Sequence, residues 1–233
     1  MAQQEIALIV GSGPGLSASL ALLFSKEGMK VALAARNVEK LDGLVKEING
    51  RAYPCDASSP ADVKNLFQSV SQDIGNPNLV VYNASGRVRG PLTELDPEAV
   101  RQTIMITCYG GFLIGQEAAK SMIKAGSGTI LFTGASASVK GYANSAAFAM
   151  GKMGLTGLVQ SMARELQPRN IHVAQVVIDG GICNPERPER QTERGPDGCL
   201  DPDAIARTYL HLHRQHRSAW ASQIELRPWV EKF

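Results

Sequence analysis

The stretch Ile6-Ala7-Leu8-Ile9-Val10-Gly11-Ser12-Gly13-Pro14-Gly15-Leu16 decides the fold of this chain. An unbroken apolar run gives way to closely spaced glycines, and a helix-like pattern then extends from Leu16 to Glu27. A buried strand feeding a glycine-rich turn and a helix N-terminus forms an anion site. Glycine removes the side chains that would hold a diphosphate away, while free N–H groups and the helix dipole favour negative charge. Read this way, Gly11, Ser12, Gly13, Gly15 and Leu16 line a dinucleotide site. Read alone, the same string is also a tight strand-to-helix turn.

Strand-like and helix-like runs alternate along the rest of the chain. The strand-like runs are 6–10, 30–35, 51–55, 78–82, 128–132 and 171–178. Helical patterns fill 16–27, 39–48, 60–74, 97–124 and 143–167. This rhythm predicts an α/β fold: one domain over residues 1–233, with a three-layer, doubly wound parallel sheet of the Rossmann type. Gly28 suits a left-handed helix cap, and Ser59 before Pro60 suits an N-cap. The irregular segment 179–200 follows the last long strand, where ligands of open α/β sheets bind, so it is expected to overhang the pocket as a substrate-covering lid. Its charged middle, Glu186–Arg194, reads equally as a solvated surface excursion.

With 233 residues the chain can bury a substantial core. Its net charge of +2 gives no case for nucleic acid or a membrane surface as partner. The residues Met1–Glu5 lack the basic region and apolar core of a secretion signal, and no apolar run is long enough to span a bilayer. Cys55, Cys108, Cys183 and Cys199 have neither metal-ligand nor redox-pair spacing, which fits incidental thiols in a cytoplasmic protein.

Cofactor choice in such folds is set at the end of the second strand, by a carboxylate for a ribose hydroxyl or an arginine for a 2′-phosphate. Here Arg36 stands at that point, with Lys40 one helical turn further on and no acid before it. A guanidinium matches phosphate bidentately, so NADP(H) is expected over NAD(H).

Taken in order, these residues resemble the short-chain dehydrogenase/reductase family over nearly the whole chain. Gly11-x3-Gly15 resembles its glycine loop, with Ser17 in place of the last loop glycine. Cys55-Asp56-Ala57 resembles the adenine-contacting step after the third strand. Asn83-Ala84-Ser85-Gly86 resembles the motif that closes the fourth strand, with Ser85 for glycine. Gly180 and Ile182 match the step beside the nicotinamide, with Asp179 where proline is usual. The tail from His211 to Trp229 resembles one divergent branch. The resemblance implies a nicotinamide cofactor, a small-molecule substrate and a homodimer or homotetramer.

The family's reaction uses Tyr-x3-Lys with a preceding serine, and a helix asparagine anchors a water in the proton relay. The matching string here is Phe148-Ala149-Met150-Gly151-Lys152, and Thr107 occupies the asparagine position. The resemblance gives Lys152 the ribose contact and makes Ser136 or Ser138 the family serine. Phenylalanine neither donates nor accepts a proton, so the usual relay is broken at Phe148. Loss of a positioned acid or base costs about 10²–10⁴-fold. Tyr142 is expected to pack its ring on the lid rather than reach the cleft.

Asp179 reads first as a turn residue, and otherwise as a carboxylate for a cationic substrate or a base. His172 reads as a strand-edge residue. His211, His213 and His216 read as part of a solvated or subunit-facing helix rather than a metal site. Gly151, Gly154 and Gly157 allow a close helix approach, between subunits or within the chain. Two functions follow: an NADP(H)-dependent oxidoreductase with an atypical proton relay, suited to activated alkenes, or an NADP(H)-binding sensor or scaffold that has lost catalysis.

Overall fold

A computed structural model describes residues 4–184, 186, 188–189 and 195–231. Seven parallel strands form the central sheet in the order β3-β2-β1-β4-β5-β6-β9. These are β1 (Ile6–Val10), β2 (Lys30–Ala35), β3 (Arg51–Pro54), β4 (Leu79–Tyr82), β5 (Gly128–Thr133), β6 (Ile171–Ile178) and β9 (Gln223–Leu226). Two short strands, β7 (Gly181–Ile182) and β8 (Cys199–Leu200), pair separately. The helices are α1 (Leu16–Lys26), α2 (Asp42–Ile48), α3 (Pro60–Asp73), α4 (Pro97–Ile104), α5 (Gly110–Ala125), α6 (Ala146–Leu166) and α7 (Pro202–Arg214).

Each central strand is apolar throughout because both its faces are covered. Leu8 and Val10 join a core with α3, α5 and α6. Ala7 and Ile9 join another beneath α1 and α7. The strand order reverses between β1 and β4, which pair in register from Ala7 with Leu79 to Val10 with Tyr82. The crevice at their carboxyl ends is where the glycine loop and Asn83 meet. The two expected caps are present. Gly28 has φ +84°, and the Ser59 side chain accepts from the Asp62 N–H.

Some local expectations are corrected. The helical stretch 97–124 is interrupted by a π-turn at Met105–Tyr109. There the Tyr82 hydroxyl donates to the Ile106 carbonyl, and Gly110 presses on Tyr82 and the Ala57 carbonyl, where a Cβ would stand 2.5 and 2.8 Å away. Helix α6 starts at Ala146 rather than 143, because Asn144 is left-handed at φ +59°.

His172 is not at a strand edge but fully buried in β6, covered by α7 and the segment that leads into β9. Its Nδ1 lies 3.0 Å from the Leu212 carbonyl and its Nε2 2.9 Å from that of Ala221, while its ring stacks on Trp220. Helix α7 is packed on one face only, and His211 and His216 are exposed as expected. It buries Ile205, Ala206, Tyr209 and Leu212, and His213 reaches Thr129 Oγ1 and Glu5 Oε1, each at 3.0 Å.

Candidate active site

The glycine loop is shaped by its neighbours. Gly11 has φ +87°, and a Cβ there would stand 2.4 Å from the Ala84 backbone nitrogen, so only glycine fits. Gly15 has φ +91° and leads into α1. The Gly11 and Ser12 N–H groups both donate to the Ala34 carbonyl at 3.0 Å. Ser12 is buried and its hydroxyl donates to the Ile9 carbonyl, so its side chain faces inward. Leu16 is buried in the core beneath the loop.

Basic groups gather at the loop's mouth. Arg36 is exposed just past β2. Asn37 Oδ1 accepts from the Glu39 N–H, and the chain then turns so that the Lys40 amine lies 3.9 Å from the position of a Cβ on Gly13. Asp56 accepts from the Ser58 N–H at 2.9 Å and the Ser58 hydroxyl at 2.7 Å. Those bonds, and after them the Arg36 charge, hold its carboxyl below the usual carboxylate range. Ala57 is buried beside it.

At the other end of the crevice, Lys152 comes from α6 and donates to the Thr133 carbonyl at the end of β5, at 2.7 Å. It is almost wholly buried. Burial, and then the Arg87 charge, bring its amine down to about 8. Phe148 is half-buried one helical turn earlier. The Arg87 guanidinium covers its ring at 4.6 Å from the centre, and the Lys152 amine lies 5.9 Å from the same centre.

Thr107, buried in the π-turn, accepts from the Gly86 N–H at 2.9 Å. It also crowds α6, where a Cβ on Gly151 would stand 2.9 Å from its own Cβ. The threonine therefore holds the loop after β4 against the helix. Ser138 is buried, and its hydroxyl accepts from the Ala135 N–H at 3.1 Å and the Gln175 amide at 3.5 Å. Ser136 stands half-buried at the start of the same turn. Tyr142 is 44% exposed, with the Lys140 amine 5.6 Å from the centre of its ring.

Beyond β6, Asp179 is bound by Arg227 at 3.2 Å, and its N–H donates to the Leu226 carbonyl. This ion pair and the turn it closes account for the carboxylate structurally. A Cβ on Gly180 would stand 2.7 Å from Pro228, so the tail packs close to this turn. Ile182 pairs with Leu200, and the Cys183 carbonyl and Asn184 side chain come within about 4 Å of the Gly15 Cβ position. The segment thus overhangs the glycine loop, while residues 185, 187 and 190–194 of the expected lid lie outside the described residues.

Sequence reasoning missed Arg87, the Arg227 clamp and the hydrogen bond between the Cys183 and Cys199 thiols. Only Arg87 carried a local signal, as a cation immediately after the Asn83–Gly86 motif.

Comparison with known proteins agrees with this arrangement. Residues 5–192 match the short chain dehydrogenase family. The chain belongs to the short-chain dehydrogenase/reductase family. A curated relative, short chain aldehyde dehydrogenase 1 of Euphorbia lathyris, is 30% identical over 187 residues, covering 78% of this chain and 65% of that protein. The chain thus spans about two thirds of that relative's length. A solved short-chain dehydrogenase from Rhodopseudomonas palustris is 34% identical with TM-score 0.83, covering 97% of this chain and all of its own. A metagenomic short-chain oxidoreductase solved in complex with NADP is 26% identical with TM-score 0.82, covering 97% and 98% of the two chains. Oxidoreduction with a nicotinamide cofactor is the chemistry of this short-chain dehydrogenase/reductase class.

Proposed function

We propose that this protein is an NADP(H)-dependent oxidoreductase acting on a small molecule through a proton path other than the family's tyrosine. The observation that carries the reading is that the Lys40 amine reaches the glycine loop at Gly13, while Arg36 at the end of β2 lies close enough to act on Asp56. The loop of Gly11, Gly13 and Gly15 fits a diphosphate, and Arg36 and Lys40 would hold the extra phosphate. Asp56 and Ala57 would take the adenine end, Asn83, Ala84, Ser85 and Lys152 the ribose, and Gly180 and Ile182 the nicotinamide. When bound, the cofactor supplies or accepts the hydride.

The chain's own residues then manage the charge and the proton. Phe148 excludes water with its ring and moves no proton. The buried Lys152 ammonium and the Arg87 guanidinium offer positive charge at the reacting end. Proton delivery falls to solvent or to Lys152, which suits reduction of an activated alkene, where the proton goes to carbon, better than ketone reduction. The exposed Phe112, Met150 and Met153 on α5 and α6, beside the small residues of α6, support a homodimer or homotetramer.

A second reading, an NADP(H)-binding sensor or scaffold, is favoured by the use of the Thr107 hydroxyl on Gly86 together with the loss of the phenol at Phe148. Calorimetric titration with NADPH and NADH, followed by a screen of alkenes and ketones, tests both. Tighter NADPH binding with alkene turnover supports the enzyme. Tight binding with no turnover supports the sensor, and tighter NADH binding removes the NADP(H) assignment.

A further inference from the structure

Asp179 follows β6 directly and leads into the step that the cofactor reading gives to the nicotinamide. Its N–H donates to the Leu226 carbonyl at 2.8 Å, which carries the β6–β9 ladder up to the turn. Its carboxylate meets the Arg227 guanidinium at 3.2 Å. Glu225 binds the same guanidinium from β9, so the arginine is held between two acids. The side chains of Arg227 and Asp179 are only 22% and 13% exposed, so water screens this pair less than an ordinary surface bridge.

The turn that follows has little freedom. A Cβ on Gly180 would stand 2.7 Å from Pro228 and 2.9 Å from Leu200, so the tail and β8 both press on this glycine. Beyond it, Gly181 and Ile182 pair with β8, and the Cys183 N–H donates to the Leu200 carbonyl at 2.9 Å. The Cys183 carbonyl and the Asn184 side chain then reach 3.9 and 4.0 Å from the Gly15 Cβ position. Residues 179–184 thus form a strap from the tail to the glycine loop, and Arg227 fixes its first residue.

A proline at position 179 would set φ there by its own ring. Aspartate carries no such constraint, and the ion pair supplies the restraint from outside. A segment fixed before its ligand arrives lowers the ordering cost of binding.

We infer that Arg227 is a positioning residue for the nicotinamide end of the cofactor, holding Gly180–Ile182 in place through Asp179. The inference rests on the cofactor reading above, which seats the nicotinamide against this step.

The test uses the full chain with NADPH and with adenosine 2′,5′-bisphosphate, which has the adenine end of the cofactor and no nicotinamide. By calorimetry, R227Q should weaken NADPH about tenfold, the low end for a hydrogen bond to a charged group, and leave the bisphosphate within about twofold. D179N breaks the same pair from its other side and should reproduce this split. R227K should recover part of the loss, because an ammonium still pairs with Asp179 but without the planar fork. E225Q leaves the Asp179 contact in place and should keep NADPH within about threefold of the parent, the scale of one partly exposed ion pair.

An arginine serving only the fold would weaken both probes alike, or neither. Equal losses for the two probes, NADPH affinity untouched by R227Q, or a loss in E225Q as large as in R227Q overturns the inference while the cofactor reading stands. Where R227Q does not fold, D179N reads the same split and its result decides. Failure of NADPH to bind the unaltered chain overturns both.

Discussion

The Asn83 side-chain amide donates to the Ser17 hydroxyl at 2.7 Å, and that hydroxyl donates in turn to the Gly11 carbonyl at 3.1 Å. The residue that replaces the last loop glycine thus ties the end of β4 to the start of α1. It rigidifies the floor of the crevice by a route unavailable to glycine.

Ser17→Ala removes both bonds and leaves the Asn83 amide short of a partner inside the protein. We expect a loss of about 1–3 kcal/mol in urea unfolding, the usual cost of stranding a buried polar group. Unchanged stability would show that the bridge is dispensable.

Arg36→Ala should weaken NADPH by about 10–100-fold and leave NADH within about threefold of the parent, since only the former carries the 2′-phosphate. Fluorescence titration with both nucleotides reads this directly. An equal loss for both would move Arg36 away from the phosphate.

Lys152 makes stability depend on pH in a defined direction. Its folded value of about 8 lies below the ordinary 10.5, so the unfolded chain binds more protons between those limits. Stability contributed through this group therefore rises with pH from about 8 to about 10.5. Relative to Lys152→Met, which lacks the titration, the parent should gain about 2–3 kcal/mol across that window, at the scale of 1.36 kcal/mol per pKa unit. Parallel urea midpoints for the two proteins from pH 7 to pH 10 would refute a buried, titrating lysine.

Phe148→Tyr places a phenol beside Arg87 and Lys152, two cations that favour its ionised form. Ketone reduction with NADPH should rise by about 10²–10⁴-fold, the usual worth of a positioned acid. No gain would locate the deficit at Thr107, whose hydroxyl stays bound to Gly86.

Cys183 and Cys199 are joined by a thiol hydrogen bond across the β7–β8 ribbon, in which Gly181 pairs with Cys199. Diamide should link them, the two thiols giving up their hydrogens to the diazene, with loss of two hydrogens in the intact mass. Cys183→Ser should abolish this product. Its persistence in that variant would assign the link to Cys55 or Cys108.

The local sequence by itself determined the first six strands of the sheet and their order along the chain. β1, β2 and β6 run over Ile6–Val10, Lys30–Ala35 and Ile171–Ile178 as expected, because an apolar run buried on both faces needs no distant partner to be legible. The Ser59 cap and the glycine at 28 follow from equally local chemistry. Tertiary packing decided the rest. The break at Met105–Tyr109 exists because Tyr82 reaches the Ile106 carbonyl, and His172 is buried because α7 and the Trp220–Ala221 segment return from the tail to cover it. Arg87 sits on Phe148, and Cys183 against Cys199, only because the crossovers bring segments remote in the chain together at the sheet's carboxyl edge. Propensity and turn chemistry act between chain neighbours, whereas these contacts depend on a closure that no local pattern encodes.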